Sequence, residues 1–197
     1  VHQRGLGVHD THATATAAPP PWMAKNYPES LPMTREGHVL YPGSRQQYDP
    51  HSVAYLELSS RLVTKMAERY GKHPGLAMWH INNEYACHVA ESFTPAGADA
   101  FRAWLEKRYG TVDALNHAWG TAFWSQHYDD WSEIHPPRLA PTFINPTQQL
   151  DWKRFSNDAI MALYTNEADI LRRITPDVPV VTNFMGFFKP LDYWEWA

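Results

Sequence analysis

A glutamate that follows an apolar run is the residue best placed for acid/base chemistry: Gly75-Leu76-Ala77-Met78-Trp79-His80-Ile81-Asn82 leads straight into Asn83-Glu84. If that run is a parallel strand, Glu84 sits at its carboxyl end, where α/β proteins gather their active sites. The flanking aromatics Trp79 and Tyr85 would desolvate the carboxyl and keep it protonated near neutrality, as a general acid requires. The plainer role for the same glutamate is to cap the next loop. Asn183 ends a second apolar run, Val180-Val181-Thr182-Asn183, and would either point at the same mouth or serve as a turn residue. Arg45, in Gly43-Ser44-Arg45-Gln46, offers a fixed guanidinium that suits sugar hydroxyls or a carboxylate, or else is a solvated loop side chain. Trp22, Trp119, Trp124 and Trp131 could line a sugar subsite, since indole faces pack on pyranose C–H surfaces, or could serve the core.

Other chemistries are poorly supplied. His9 and His12 lack a clear third ligand, so no metal and no cofactor is expected. There is no glycine-rich phosphate loop and no Gly-x-Ser-x-Gly elbow, and Cys87 has His80 and His88 nearby without thiol-protease spacing. As the only cysteine, Cys87 cannot form an internal disulfide or a zinc–thiolate cluster, which fits a reducing, cytoplasmic compartment. The formal charge of −4 argues against a nucleic-acid arm or a polybasic membrane surface. No stretch approaches the ~18 apolar residues of a membrane span.

The elements that must position these residues follow from pattern. With 44% hydrophobic and 14% aromatic residues, the chain is globular in composition. A strand is expected over about Leu6 to Thr16, running into the rigid Pro19-Pro20-Pro21-Trp22 loop, with loop continuing over 25–49. A helix is expected after Asp49-Pro50-His51-Ser52, with Val53, Leu56, Leu62, Val63, Met66 and Tyr70 on its apolar side. Thr94-Pro95 should open another, with Phe101, Trp104, Leu105 and Tyr109 inward, and a short helix should run from Thr111 to Gly120. The aromatic, proline-rich stretch 121–146 is long for a connector and reads as a functional rim. A long helix over about Pro146 to Ile174 should bury Leu150, Phe155, Ile160, Leu163, Leu171 and Ile174, and a strand over Val180 to Phe184 should follow. Strands separated by helices argue for an α/β fold with parallel strands. Three strands cannot close a barrel. The chain opens without an initiator methionine or secretory signal and closes on Trp194-Glu195-Trp196-Ala197, so it is expected to be a piece of a longer protein.

The run Trp79-His80-Ile81-Asn82-Asn83-Glu84-Tyr85-Ala86-Cys87-His88 closely resembles the acid/base segment of glycoside hydrolase family 42 β-galactosidases. Further blocks agree in order: 14–22 with 25–29, Gly43-Ser44-Arg45, 67–71, 109–111 through 118–126, and 182–188. The resemblance covers nearly the whole chain, and the 119–126 and 183–188 blocks are the most specific to the family. It implies an α/β fold, a partial (β/α)8 TIM barrel comprising about strands three to five with their helices. Residues 1–197 would be part of one catalytic domain, with the remainder of the barrel and the trailing domains absent. It implies retaining hydrolysis of terminal β-D-galactose from β-galactosides such as lactose or galacto-oligosaccharides, in a parent that assembles as a homotrimer.

By the same resemblance Glu84 is the general acid/base, Asn83 binds the galactose 2-hydroxyl, and Arg45 belongs to the sugar-binding loop. Many members carry a second arginine where this chain has Gln46, and zinc-binding members carry a cysteine where Asp49 stands and a cysteine cluster shortly after Cys87. No zinc is expected here. Retaining hydrolysis needs two carboxyls about 5 Å apart. The family's nucleophile lies on a later strand, and Glu195 does not match it, so this chain alone is expected to be inactive. The alternatives are a non-catalytic sugar-binding module using Arg45 and the aromatic rim, another retaining β-glycosidase of the same clan, and a decayed or truncated gene product with no function.

Overall fold

Most helices among the described residues begin where a side chain satisfies the first free backbone N–H groups. The computed structural model describes residues 10–197, with side chains from Thr14 onward. Strand β1 spans Asp10–Ala13; the part of the expected first strand before it, and His9, lie outside the described residues, as does the side chain of His12. Helix α1 (Pro21–Asn26) starts inside what reads as a rigid proline loop. The third proline occupies a first-turn position, where a missing N–H costs nothing, so three consecutive prolines conceal a helix start.

Helix α2 (Val53–Tyr70) is capped by the Ser52 hydroxyl, which accepts from the Tyr55 N–H. Its buried stripe is Tyr55, Ser59, Val63 and Ala67. That differs from the expected apolar face: Val53 is 68% exposed, and Leu56, Leu62 and Tyr70 also face outward. The buried positions recur every four residues, and two of the four are small. Small residues let the long helix over Pro146–Ile174 approach closely, and Ser60 of α2 accepts from its Asn166 at 2.8 Å.

Strand β2 (Leu76–His80) is the centre of a three-stranded parallel sheet of order β1-β2-β3. Strand β3 is only Val180–Val181, shorter than expected. Beyond it the Thr182 hydroxyl, rather than a ladder amide, reaches the Ile81 carbonyl at 2.8 Å. Helices α3 (Pro95–Tyr109) and α4 (Val112–Trp119) carry threonine caps, Thr94 and Thr111, as their sequences predict.

Helix α5 (Pro146–Ile174), about 43 Å long at 1.5 Å per residue, ties the molecule together. Its first third, through Trp152 and Phe155, joins Phe93, Phe101, Leu105, Leu115, Trp119 and Ile134 in one core. Its remainder, through Ile160, Leu163, Ala168 and Leu171, packs with Val63, Ala67 and Trp79 in a second. Leu150 is exposed rather than buried, while Gln148, Asp151, Asn157 and Glu167 are buried. Asp151 accounts for part of that exchange. Its carboxylate accepts from the Tyr109 hydroxyl (2.5 Å), the Trp119 indole (2.9 Å) and Arg154 (3.0 Å), joining α3, α4 and α5.

The stretch 121–145 is irregular apart from one turn at Trp131–Glu133, but it is pinned. Asn116 holds Thr121 and Tyr128, Gln148 donates to the His135 carbonyl, and Asn145 to that of Trp119. Helix α6 (Tyr193–Trp196) closes the described chain under an Asp192 cap. Among the described residues no helix is long and apolar enough to cross a membrane.

Candidate functional site

The carboxyl ends of β2 and β3 and the loop before α2 bring together Arg45, Asn83, Glu84 and Asn183, residues far apart in sequence. An Arg45 Nη2 ion pair contacts Glu84 Oε2. The Asn83 side-chain amide donates to the same oxygen at 3.3 Å. The Glu84 N–H donates to Asn183 Oδ1 at 3.0 Å, so the turn residue after β3 anchors the backbone of the glutamate after β2. Arg45 and Glu84 side chains are 32% and 23% exposed, open enough to meet a ligand. Pairing with Glu84 raises the Arg45 pKa above its already high ordinary value, so this guanidinium stays charged.

The backbone here is bent in a way side chains resist. Asn82 (φ 54°), Glu84 (φ 50°) and Ala86 (φ 66°) all take left-handed conformations, each costing on the order of 1–3 kcal/mol unless the surroundings over-determine it. Three sets of bonds do so. Buried Gln46 donates to the carbonyls of Asn83 and Glu84, at 2.7 Å each. Asn82 Oδ1 accepts from the Asn83 N–H at 2.7 Å. The Asn82 backbone N–H and Nδ2 donate to Thr14 Oγ1 (3.0 Å) and Thr16 Oγ1 (3.2 Å), and Nδ2 also lies 3.3 Å from the Tyr48 hydroxyl. Thus β1, the Arg45 loop and β3 all hold the strand-end turn that carries Glu84.

The aromatic neighbours behave otherwise than their sequence positions predict. Trp79 is buried with its indole donating to Thr175. Tyr85 packs against Tyr164 and Trp196. Both face the core, because successive strand and turn residues point to opposite sides, and the immediate company of the Glu84 carboxyl is polar. Among the tryptophans, Trp119 and Trp131 belong to a core. Trp22 borders an apolar cavity of about 460 Å3 between α1 and α2, with Met23, Leu58 and Leu62. Trp124, 72% exposed, remains on the rim beside Phe123. Arg45 also borders a small cavity of about 270 Å3 with Leu40, Tyr41 and His88.

Cys87 is buried, 3.8 Å from Arg45 Nη2 and 3.6 Å from His88 Nδ1. Asp49 is buried in hydrogen bonds: it accepts from the Thr94 hydroxyl at 2.5 Å and the His51 N–H at 3.2 Å. Among the described residues no group of three His, Cys, Asp or Glu side chains could hold a metal ion. Sequence reasoning did not single out Gln46, Asn82, Thr14 or Thr16 as site residues. The signal for the threonines is their spacing of two at a strand end, which puts both on one face.

Comparison with known proteins agrees with these observations. The sequence model of the glycoside hydrolase 42 family, described as β-galactosidase, matches residues 2–197. The chain is 56% identical over 191 residues to β-galactosidase bgaB of Geobacillus kaustophilus, covering 97% of this chain and 28% of that protein. It superposes on the crystal structure of β-galactosidase from the psychrophilic Marinomonas ef1 with a TM-score of 0.92 and 42% identity, covering 98% of this chain and 29% of that one. The Bacillus circulans sp. alkalophilus β-galactosidase structure gives a TM-score of 0.87 and 41% identity, over 93% of this chain and 28% of that one. The chain thus spans less than a third of the length of these relatives.

Proposed function

The chain belongs to the glycoside hydrolase 42 family of β-galactosidases, and from that premise we propose that it supplies the acid/base half of a retaining β-galactosidase active site. In this reading residues 1–197 are part of one catalytic (β/α)8 barrel, about strands three to five with their helices. The rest of the barrel lies in a longer parent enzyme. The substrate is a terminal β-D-galactoside such as lactose or a galacto-oligosaccharide. A homotrimeric parent in the cytoplasm belongs to the same reading; the single cysteine suits a reducing compartment.

The observation that carries the proposal is the convergence of Arg45 and Asn83 on one oxygen of strand-end Glu84. Glu84 protonates the glycosidic oxygen as the aglycone leaves and then takes a proton from the water that releases galactose. Asn83, beside it, hydrogen-bonds the sugar 2-hydroxyl, a contact that strengthens as the ring gains positive charge. Arg45 pairs with Glu84 Oε2, and its planar guanidinium also suits sugar hydroxyls, so it lies where it can hold both the carboxyl and the galactoside. No residue of this chain is assigned the attacking carboxylate, and Glu195 is already held by Asn157 at 3.0 Å.

The experiment follows from that division. The 197-residue chain should not hydrolyse nitrophenyl β-galactoside. The longer enzyme containing it should, and should lose turnover with Glu84→Gln. Turnover by the isolated chain, or an unaffected Glu84→Gln enzyme, would refute the reading; binding without turnover in the longer protein would favour a sugar-binding module.

A further inference from the structure

Asn82, the residue before Asn83 and Glu84, is 2% exposed, and every polar atom of its side chain is hydrogen-bonded inside the protein. Its Oδ1 accepts from the Asn83 N–H at 2.7 Å. The NH2 end faces three buried hydroxyls: Thr16 at 3.2 Å, Tyr48 at 3.3 Å and Tyr55 at 3.5 Å. The Tyr55 proton goes to the Thr16 carbonyl at 3.1 Å, which leaves the Tyr55 oxygen as an acceptor. Turning the amide over would set its NH2 against the Asn83 N–H, a buried donor facing a donor. Only one orientation of this side chain is satisfied.

The backbone of the same residue is tied to the chain that leaves β1. The Thr14 N–H donates to the His80 carbonyl at 3.0 Å, and two residues further on the Asn82 N–H donates to the Thr14 hydroxyl, also at 3.0 Å. That hydroxyl lies 3.1 Å from the Thr16 hydroxyl, so the backbone and side-chain donors of Asn82 land on one linked pair. Asn82 holds φ 54°, a left-handed conformation that asparagine accepts more readily than most residues.

We propose that Asn82 is a positioning residue for the acid/base turn: its amide, held by the Thr16 and Tyr48 hydroxyls, fixes the Asn82–Asn83 peptide and so aims Asn83 at the sugar and Glu84 at the leaving oxygen. The inference rests on the acid/base role proposed for Glu84. Asn82 is too deeply buried to touch substrate and acts through the two residues that follow it.

The test is made in the longer enzyme, on folded protein, by comparing kcat/KM on two substrates. Lactose loses an alkoxide that must be protonated, whereas dinitrophenyl β-galactoside loses a phenolate that leaves without help. Asn82→Gly keeps the left-handed backbone at no steric cost and removes the amide. It should lower kcat/KM on lactose by about tenfold to a hundredfold, the scale of an ångström-level misplacement of a catalytic group, and lower it less on the dinitrophenyl substrate. A loss of folded enzyme, or of the Asn83 contact, lowers both alike, so the excess on lactose is the readout that reports Glu84. Thr16→Val combined with Tyr48→Phe leaves Asn82 in place and takes away its two nearest hydroxyls. That pair should show the same excess on lactose, and it decides the question if Asn82→Gly does not fold. Added to the pair, Asn82→Gly should cost little more, since both cut one chain of bonds. Unchanged kcat/KM, or equal losses on the two substrates, in either folded variant would overturn the proposal. Glu84→Ala in the same comparison separates the two levels: if it shows the excess on lactose while the Asn82 and Thr16/Tyr48 variants do not, only the positioning role falls. If Glu84→Ala shows no excess, both fall.

Discussion

One side chain, buried Gln46, grips the carbonyls of both Asn83 and Glu84 at 2.7 Å. Its own backbone is left-handed (φ 59°) and its N–H is tied to the Ala17 carbonyl at 2.6 Å, so the amide is held from both directions. It stands beside Arg45, which pairs with the Glu84 carboxyl. The loop before α2 therefore holds the side chain of Glu84 with Arg45 and its backbone with the next residue, Gln46.

Replacing Gln46 with alanine removes both bonds; the Glu84 carbonyl keeps the Cys87 N–H at 3.0 Å, while that of Asn83 loses its donor, at roughly 1–3 kcal/mol where water cannot replace it. In the longer enzyme kcat should fall by roughly tenfold or more, since a loosened turn misplaces the Glu84 carboxyl and an ångström-level misplacement costs up to about a hundredfold. Steady-state kinetics on nitrophenyl β-galactoside decides it, and an unchanged kcat would separate the clamp from catalysis.

Asp151 gives a stability prediction. Alanine there strands the Tyr109 hydroxyl and the Trp119 indole, and Asp151→Ala should destabilise the protein by roughly 2–4 kcal/mol. Thermal denaturation reads the loss. A change within experimental error would mean that water rescues both donors.

Burial pushes the Glu167 carboxyl up from 4.5 to about 7, against the hydrogen bonds from Thr14 and Thr16 that lower it. Between those values the folded state holds a proton the unfolded state has lost. The contribution to stability thus falls as pH rises from about 4.5 to 7 and is level above. At about 1.36 kcal/mol per unit, the fall is roughly 3 kcal/mol. Glutamine does not titrate, so Glu167→Gln should gain on wild type across that window in denaturant unfolding at pH 5 and pH 8. Parallel pH dependences would contradict it.

The helices were legible because their caps are local. Ser52, Thr94, Thr111 and Asn145 each precede a helix and each accepts from its first turn. Which face of α2 turns inward was not, since that depends on the close approach of α5 and favours Ser59 and Ala67 over Leu56 and Leu62. Glu84, Asn83 and Arg45 were legible from strand-end position and family resemblance, and they do converge. The shell beneath them was not. Gln46 and Asn82 are polar residues whose value lies in partners 37 and 66 positions away, and no local pattern marks a polar side chain as buried.

The central claim is that Glu84 donates the proton to the leaving oxygen, and a leaving-group comparison tests it most directly. In the longer enzyme, Glu84→Ala should lose roughly 10²–10⁴-fold in kcat/KM on lactose, whose sugar alkoxide cannot depart unprotonated. The loss on dinitrophenyl β-galactoside should be far smaller, because dinitrophenolate leaves without help. Azide, which needs no base to attack, should restore turnover of that substrate as β-galactosyl azide. Equal losses on both substrates, with no azide rescue, would mean that Glu84 is not the acid/base.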